Sequence, residues 1–233
     1  MCVIETKNLV KTYKSGKLCI TAIDDISLKI RKGSIIFIKG RSGSGKTTLL
    51  NLIGCLDYPT QGSVLLNGQV VSSLPEGMLS HIRRNHIGFV FQRFYLLPTL
   101  NAINNVMLPL KYSRVSKKEA RRRSLDLLDA IDMRNRSEHY PDELSGGEQQ
   151  RIAIARALAN SPSVVLADEP TGDLDSHTAG SVFSLIKTLN KTFRQTFVVV
   201  SHDESIMDCA DKIIQLEDGK IINDTEEIST ELP

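Results

Sequence analysis

The stretch Ser34-Ile-Ile-Phe-Ile-Lys39-Gly40-Arg41-Ser42-Gly43-Ser44-Gly45-Lys46-Thr47-Thr48 decides the fold. Its first part, Ser34–Lys39, is β-branched and apolar at nearly every position, as in a strand buried on both faces. Its second part matches G-x-x-x-x-G-K-[ST] at every fixed position. Leu49, Leu50, Leu52 and Ile53 follow at helical spacing, so a helix is expected over Gly45–Leu56. Strand, glycine loop and helix in that order make a phosphate cradle. Gly40, Gly43 and Gly45 let successive backbone N–H groups, those of Ser42 and Ser44 among them, turn inward around a phosphate chain. The helix N-terminus adds about half a positive charge. Lys46 supplies a full charge for the β- and γ-phosphates. Thr47 offers a hydroxyl to Mg²⁺, and Thr48 reaches a further phosphate oxygen.

Outward from this stretch, the runs Ile87–Phe91, Val164–Ala167, Thr196–Ser201 and Lys212–Glu217 read as further buried strands. Helical periods follow at Thr178–Lys191 and Glu204–Cys209. Strand–helix alternation predicts an α/β fold with a mostly parallel sheet. The first 30 residues differ: Cys2–Lys7, Leu18–Thr21 and Ile26–Ile30 read as antiparallel β, and Gly62–Leu66 followed by Asn67-Gly68 is a hairpin signal. Between about Phe94 and Asn160 strands vanish. There Ser116 to Glu119 is a capping-box pattern opening a helix to about Ile131, with Leu125, Leu128 and Ile131 as its apolar stripe. The expectation is a single domain over 1–233. Residues 1–92 and 161–233 form its core, and about 93–160 an inserted helical subdomain.

Composition weighs against several function classes. The 233 residues carry 29 Lys+Arg against 27 Asp+Glu, a net +2, so no strong overall field draws nucleic acid. The basic run Lys117, Lys118, Arg121, Arg122 and Arg123 reads as a solvated helix face, with a nucleic-acid or acidic-lipid contact as the alternative and no interleaved aromatics in its favour. The four cysteines, Cys2, Cys19, Cys55 and Cys209, form no CxxC pair, which argues against zinc and fits a reducing compartment. No apolar run approaches the roughly 18 residues needed to span a bilayer. Met1–Glu5 shows no basic-then-apolar secretory pattern. The acidic residues Asp224, Glu226, Glu227 and Glu231 near the end point to no role.

Two further constellations carry chemistry. Val164–Ala167 ends in Asp168 and Glu169, where a strand's C-terminal end would present one carboxylate to Mg²⁺ and another to an attacking water. Leu144-Ser145-Gly146-Gly147-Glu148 opens a helix over Gln149–Ala159, and its N–H groups and hydroxyl make a second anion site. An ordinary serine-capped helix start is the alternative for that segment alone.

With these pieces in order, the chain resembles the nucleotide-binding subunits of ABC transporters along nearly its whole length. The resemblance implies a P-loop NTPase core with ATP and Mg²⁺ as cofactors, and ATP hydrolysis as the activity. It assigns Tyr13 to adenine stacking and Gly40–Thr47 to the phosphate loop. Gln92 is assigned to sensing Mg²⁺ and the membrane partner, with Thr47 and Asp168 as further metal ligands. Leu144–Glu148 becomes the signature that contacts ATP in trans. Glu169 becomes the catalytic carboxylate, Asp175 part of the loop at the dimer seam, and His202 the γ-phosphate switch. Arg41 and Asp173 depart from the commoner residues at their positions.

Asn51–Gly62, Ile82–Gln92 and Leu97–Leu110 are similar to the MacB/LolD group of stand-alone ATPases, which implies export or efflux of lipoproteins, peptides or drugs. Partners implied are a second copy of the chain, joined head to tail by ATP, and an integral membrane permease, with no nucleic acid. The implied location is cytoplasmic, on the inner face of the membrane through the permease. Phe94–Leu97 is read either as the docking face for that permease or as core packing. An FtsE-like regulatory ATPase and a non-transport ABC ATPase acting on nucleic acid or ribosomes are the alternatives.

Overall fold

The computed structural model describes residues 1–16, 18–202, 207 and 209–225. Strands β1 (Cys2–Ser15) and β2 (Leu18–Arg31) pair antiparallel. They join β4 (Gln61–Leu66) and β5 (Gln69–Val70) in a four-stranded sheet of order β2-β1-β4-β5. The short antiparallel segments expected near the N-terminus are in fact two 14-residue strands. Register shifts between Thr6 and Leu9 and between Leu9 and Lys11, with Asn8 and Asp25 at positive φ, break the alternation that would have marked continuous strands.

The second sheet has order β10-β9-β3-β8-β7-β6. Its members are β3 (Ile35–Lys39), β6 (Ile87–Phe91), β7 (Val164–Asp168), β8 (Thr196–Val200), β9 (Lys212–Glu217) and β10 (Lys220–Asp224). All neighbours are parallel except β10 with β9. Every apolar run expected as a strand is one, within a residue at each end.

This sheet is a wall between two cores. Ile35, Phe37, Val165, Ala167, Phe197 and Val199 face one side. There they meet α3 (Ala102–Tyr112), α4 (Lys117–Ala130), α5 (Gly146–Leu158) and α6 (Ser176–Phe193). The alternate residues Ile36, Ile38, Val164, Leu166, Val198 and Val200 face the antiparallel sheet, α1 (Lys46–Ile53) and α2 (Glu76–His86). Both faces bury apolar side chains worth about 1.5–3 kcal/mol each, which is why these strands lack a polar alternation.

Ser116 caps α4 as expected, its hydroxyl accepting from Glu119 N at 3.3 Å. The box is only half formed, because the Glu119 carboxylate turns to Arg122 and Arg123. Arg121 pairs with Glu138, so this basic run is an exposed face laced by ion pairs. The expected helix over Glu204–Cys209, and Glu226, Glu227 and Glu231, fall largely outside the described residues.

Candidate functional site

The carboxyl ends of β3, β6, β7 and β8 open on one crevice, the place where parallel sheets bind ligands. The loop Gly40–Gly45 leaves β3 and enters α1. Gly45 holds φ +100°, and a Cβ there would lie 2.3 Å from Ala22 O of β2, so only glycine fits. Gly219 N donates to Ser44 O at 3.1 Å and braces the loop from the β9–β10 turn. Lys46 Nζ donates to Gly40 O at 2.8 Å and Arg41 O at 2.9 Å, folding over the loop it belongs to. Ser44 Oγ is buried without a hydrogen-bond partner, an orphan polar atom of the kind that marks a ligand position.

Asp168 ends β7, and its Oδ1 accepts from Thr47 Oγ1 at 3.3 Å. Burial, with the charge of Glu169 adding to it, holds the Asp168 carboxyl above its ordinary range against the Thr47 hydrogen bond and the charge of Lys46. Glu169 takes φ +47° and its N–H donates to Val200 O at 2.8 Å, which fixes the turn out of β7. Its Oε2 lies 2.9 Å from His202 Nδ1. An ionised carboxylate only accepts, so Nδ1 is the donor in this contact.

Gly40, Ser42, Gly43, Gly45, Lys46, Thr47, Thr48, Gln92, Glu169 and His202 thus line one cavity of about 480 Å³. Thr47, Gln92, Asp168 and Glu169 also share an adjoining cavity of about 470 Å³. A larger cavity, about 960 Å³ between Lys32, Arg122, Arg194 and Phe193, lies elsewhere. It contains neither a glycine loop nor paired carboxylates, and the chemistry is not there.

Tyr13 sits on β1 beside α1, 41 % exposed. Its hydroxyl donates to Asp57 Oδ2 at 2.8 Å, and Lys11 Nζ lies 4.9 Å from its ring centre. Lys11 also reaches Asp57 Oδ1 at 2.6 Å. Burial works to raise the Asp57 carboxyl, but the hydrogen bonds from Lys11 and Tyr13 prevail and hold it below its usual range. Lys11 and Asp57 are the ring's clamp, and the sequence reading missed both.

The segment Leu144–Glu148 lines neither cavity of the crevice. Ser145 caps α5 and shares a full capping box with Glu148: Glu148 N donates to Ser145 Oγ at 3.3 Å, and Ser145 N to Glu148 Oε2 at 2.8 Å. The backbone N–H of Ser145, helped by Arg136, keeps the Glu148 carboxyl below its ordinary range. A Cβ on Gly147 would stand 2.4 Å from Thr178 Cγ2, and one on Gly146 3.1 Å from Leu174 Cδ2. The segment is therefore wedged against the loop Gly172–Asp175 and the first turn of α6. Asp175 caps that helix, accepting from Thr178 N at 3.0 Å.

Two α5 side chains, also missed, tie this segment to the crevice. Gln150 Nε2 donates to Pro170 O at 2.6 Å and reaches Phe91 O at 3.4 Å. Arg156 donates to Phe94 O and Tyr95 O. Of the Phe94–Leu97 group, Tyr95 is 63 % and Leu97 42 % exposed, while Leu96 packs against the core. The group is thus part exposed and part core packing.

With the geometry in place, comparison with known proteins is informative. Residues 23–172 match the family described as ABC transporter. The uncharacterized ABC transporter ATP-binding protein MJ0796 of Methanocaldococcus jannaschii is 48% identical over 222 residues, covering 94% of each chain. The lipoprotein-releasing system ATP-binding protein LolD of Xylella fastidiosa is 45% identical over 93% of this chain and 90% of its own. The macrolide export ATP-binding/permease protein MacB of Bartonella henselae is 44% identical, and this chain spans 34% of its length. A dimeric structure of the MJ0796 cassette in a post-hydrolysis state with ADP and Pi superposes with TM-score 0.87 at 44% identity, over 96% of this chain and 98% of that one. Matched in sequence along almost all of its length and in fold to a cassette caught after hydrolysis, the chain belongs to the ABC transporter family, as an ATP-binding and ATP-hydrolysing subunit.

Proposed function

We propose that two copies of this chain close head to tail on two ATP molecules and that this closure drives a membrane permease. The observation that carries the reading is the separation inside one chain. The phosphate loop lies with Glu169 and His202 in one crevice, while Ser145–Glu148, the second anion site, lines no part of it. A second copy supplies what the crevice lacks. Each ATP then lies between Lys46 of one copy and Ser145 and Gly147 of the other, with Leu144 and Gly146 shaping that edge. Asp175 and its loop lie at the seam.

The residues at the crevice suit Mg²⁺. Thr47, Asp168 and Gln92 offer hard oxygen donors, and burial raises the Asp168 carboxyl in spite of the charge of Lys46. Among the described residues no group of three or more His, Cys, Asp or Glu side chains forms a metal cluster. The proposed cation is held by Asp168, Thr47, Gln92 and nucleotide phosphates. When bound, Mg²⁺ neutralises charge on the phosphates. The protein's part is positioning. Tyr13 stacks the adenine. Gly40–Gly45 and Thr48 hold phosphate oxygens, and Lys46 leaves the Gly40 and Arg41 carbonyls for the β- and γ-phosphates. Glu169 polarises the attacking water. His202, held at Nδ1 by Glu169, stands in the same cavity, as the γ-phosphate switch.

Residues 1–92 and 161–233 act as the nucleotide-binding core and 93–160 as the helical unit. Gln92 and the exposed Tyr95 and Leu97, at the junction of the two, form the docking groove for the permease. The chain thus works at the inner face of the membrane through that partner; no described helix is long and apolar enough to cross it. Relatedness to LolD and MacB favours cargo leaving the membrane or the cell, of the lipoprotein, peptide or drug class.

The test is the Glu169→Gln variant with Mg-ATP. It should bind ATP, turn over at a small fraction of the parent rate and run as a dimer that reverts to monomer when ATP is removed. A monomer at saturating ATP would sink the sandwich.

A further inference from the structure

Gln92 follows β6 and Asp173 lies in the loop after β7, and pairing of Phe91 with Asp168 brings the two strand ends level. Gln92 Nε2 donates to Asp173 Oδ1 at 2.7 Å. Because an ionised carboxylate can only accept, the end of the amide it meets is the nitrogen, and the oxygen is the end left free. The amide is also held sterically. A Cβ on Gly172 would lie 2.9 Å from Gln92 Cδ and 3.0 Å from Nε2, so the amide rests directly on the backbone of this loop. Gly172 N in turn donates to Glu169 O at 3.0 Å, anchoring the loop to the catalytic turn. Asp173 shares the 470 Å³ cavity with Thr47, Gln92, Asp168 and Glu169 and is absent from the lining of the phosphate-loop cavity.

We propose that Asp173 is a positioning residue: by holding the nitrogen of the Gln92 amide, it presents the amide oxygen to the cation at Thr47 and Asp168. It also makes that presentation depend on the loop Gly172–Asp175. Movement of the loop at the seam then withdraws the oxygen, and the cation site reads the state of the dimer. The proposal rests on Gln92 being a cation ligand. Residues that orient a metal ligand typically change metal affinity by about 10–100-fold when removed. Asp173 is exposed, so the lower end of that range applies.

The experiment is a Mg²⁺ titration at fixed ATP in the Glu169→Gln background, reading dimer mass by light scattering. Asp173→Ala should raise the half-saturating Mg²⁺ concentration about tenfold. Asp173→Asn keeps an acceptor oxygen for Nε2 and should stay within about twofold. Gln92→Ala should shift the midpoint as far as Asp173→Ala, and the two together no further. An unshifted Asp173→Ala beside a shifted Gln92→Ala overturns the proposal. Equal shifts for Asn and Ala overturn it as well, because charge alone would then explain the effect. A Gln92→Ala midpoint that does not move removes Gln92 as a ligand, and the proposal with it. If the background variant stays monomeric, the sandwich fails separately, and Mn²⁺ affinity of the ATP-bound monomer by electron paramagnetic resonance gives the same comparison.

Discussion

At Gly40–Thr48 the backbone turns through positive φ at Gly43 and Gly45, and Ser44 Oγ is buried with nothing to bond. At Leu144–Glu148 the opposite holds. Ser145 and Glu148 satisfy each other's N–H groups, and Arg136 balances the carboxylate. Both are helix N-termini with glycines, and both can hold anions. The first is unfinished within its own chain, and a phosphate completes it. The second is already complete, so a phosphate must compete with Glu148 for the Ser145 hydroxyl, which donates to Glu148 Oε2 at 2.9 Å. Within one chain the phosphate loop is thus ready for a phosphate, whereas Ser145–Glu148 must first give up part of its own cap.

The contrast can be attacked at three points. Lys46→Ala should have the largest effect, lowering ATP turnover by about two to three orders of magnitude, the usual loss when one charge-stabilising donor is removed. Turnover close to the parent would reduce the first site to a structural turn. Gly147→Ala places a methyl against Thr178 Cγ2 and should cost about 1–3 kcal/mol in chemical denaturation. Adding Thr178→Ser removes the clashing methyl, keeps the hydroxyl that donates to Asp175 Oδ2 at 2.6 Å, and should restore most of the loss. No recovery would mean that the signature is not wedged against α6.

Glu148→Ala is the mildest. It breaks the reciprocal cap and should cost about 1 kcal/mol at pH 7. The folded-state carboxyl titrates below its ordinary value. Its contribution is therefore present above the usual glutamate range and lost as pH falls through the lowered value. The gap between parent and variant should close on acidification. A gap independent of pH would assign the loss to packing.

The strands and the phosphate loop were legible because their signals are local: continuous apolar runs and a motif of fixed spacing. The antiparallel pair at the N-terminus was only half legible, since bulges interrupt its period. The Lys11–Asp57–Tyr13 clamp, Gln150 and Arg156 were not legible. Their partners lie 20 to 62 positions away in the sequence, and no periodicity links such residues. Glu148 is a different case. Ser145-Gly-Gly-Glu148 carries the same S-x-x-E spacing that was read at Ser116–Glu119. The structure completes the box at 145–148 and leaves it half made at 116–119, where arginines on the same helix draw Glu119 away. Spacing nominates a box, and the charges around it decide whether it closes.

The hairpin of β1 and β2 has a practical use. Tyr13 pairs with Ile20 and Lys14 with Cys19, so an exposed thiol stands one rung from the ring assigned to the adenine. Cys55, the other cysteine near this end of the molecule, is buried and its thiol is pushed up to about 11, which leaves it inert toward alkylating reagents at neutral pH. The protein contains no tryptophan. With Cys2 and Cys209 replaced, a dye on Cys19 marks this hairpin alone, on the face opposite Tyr13.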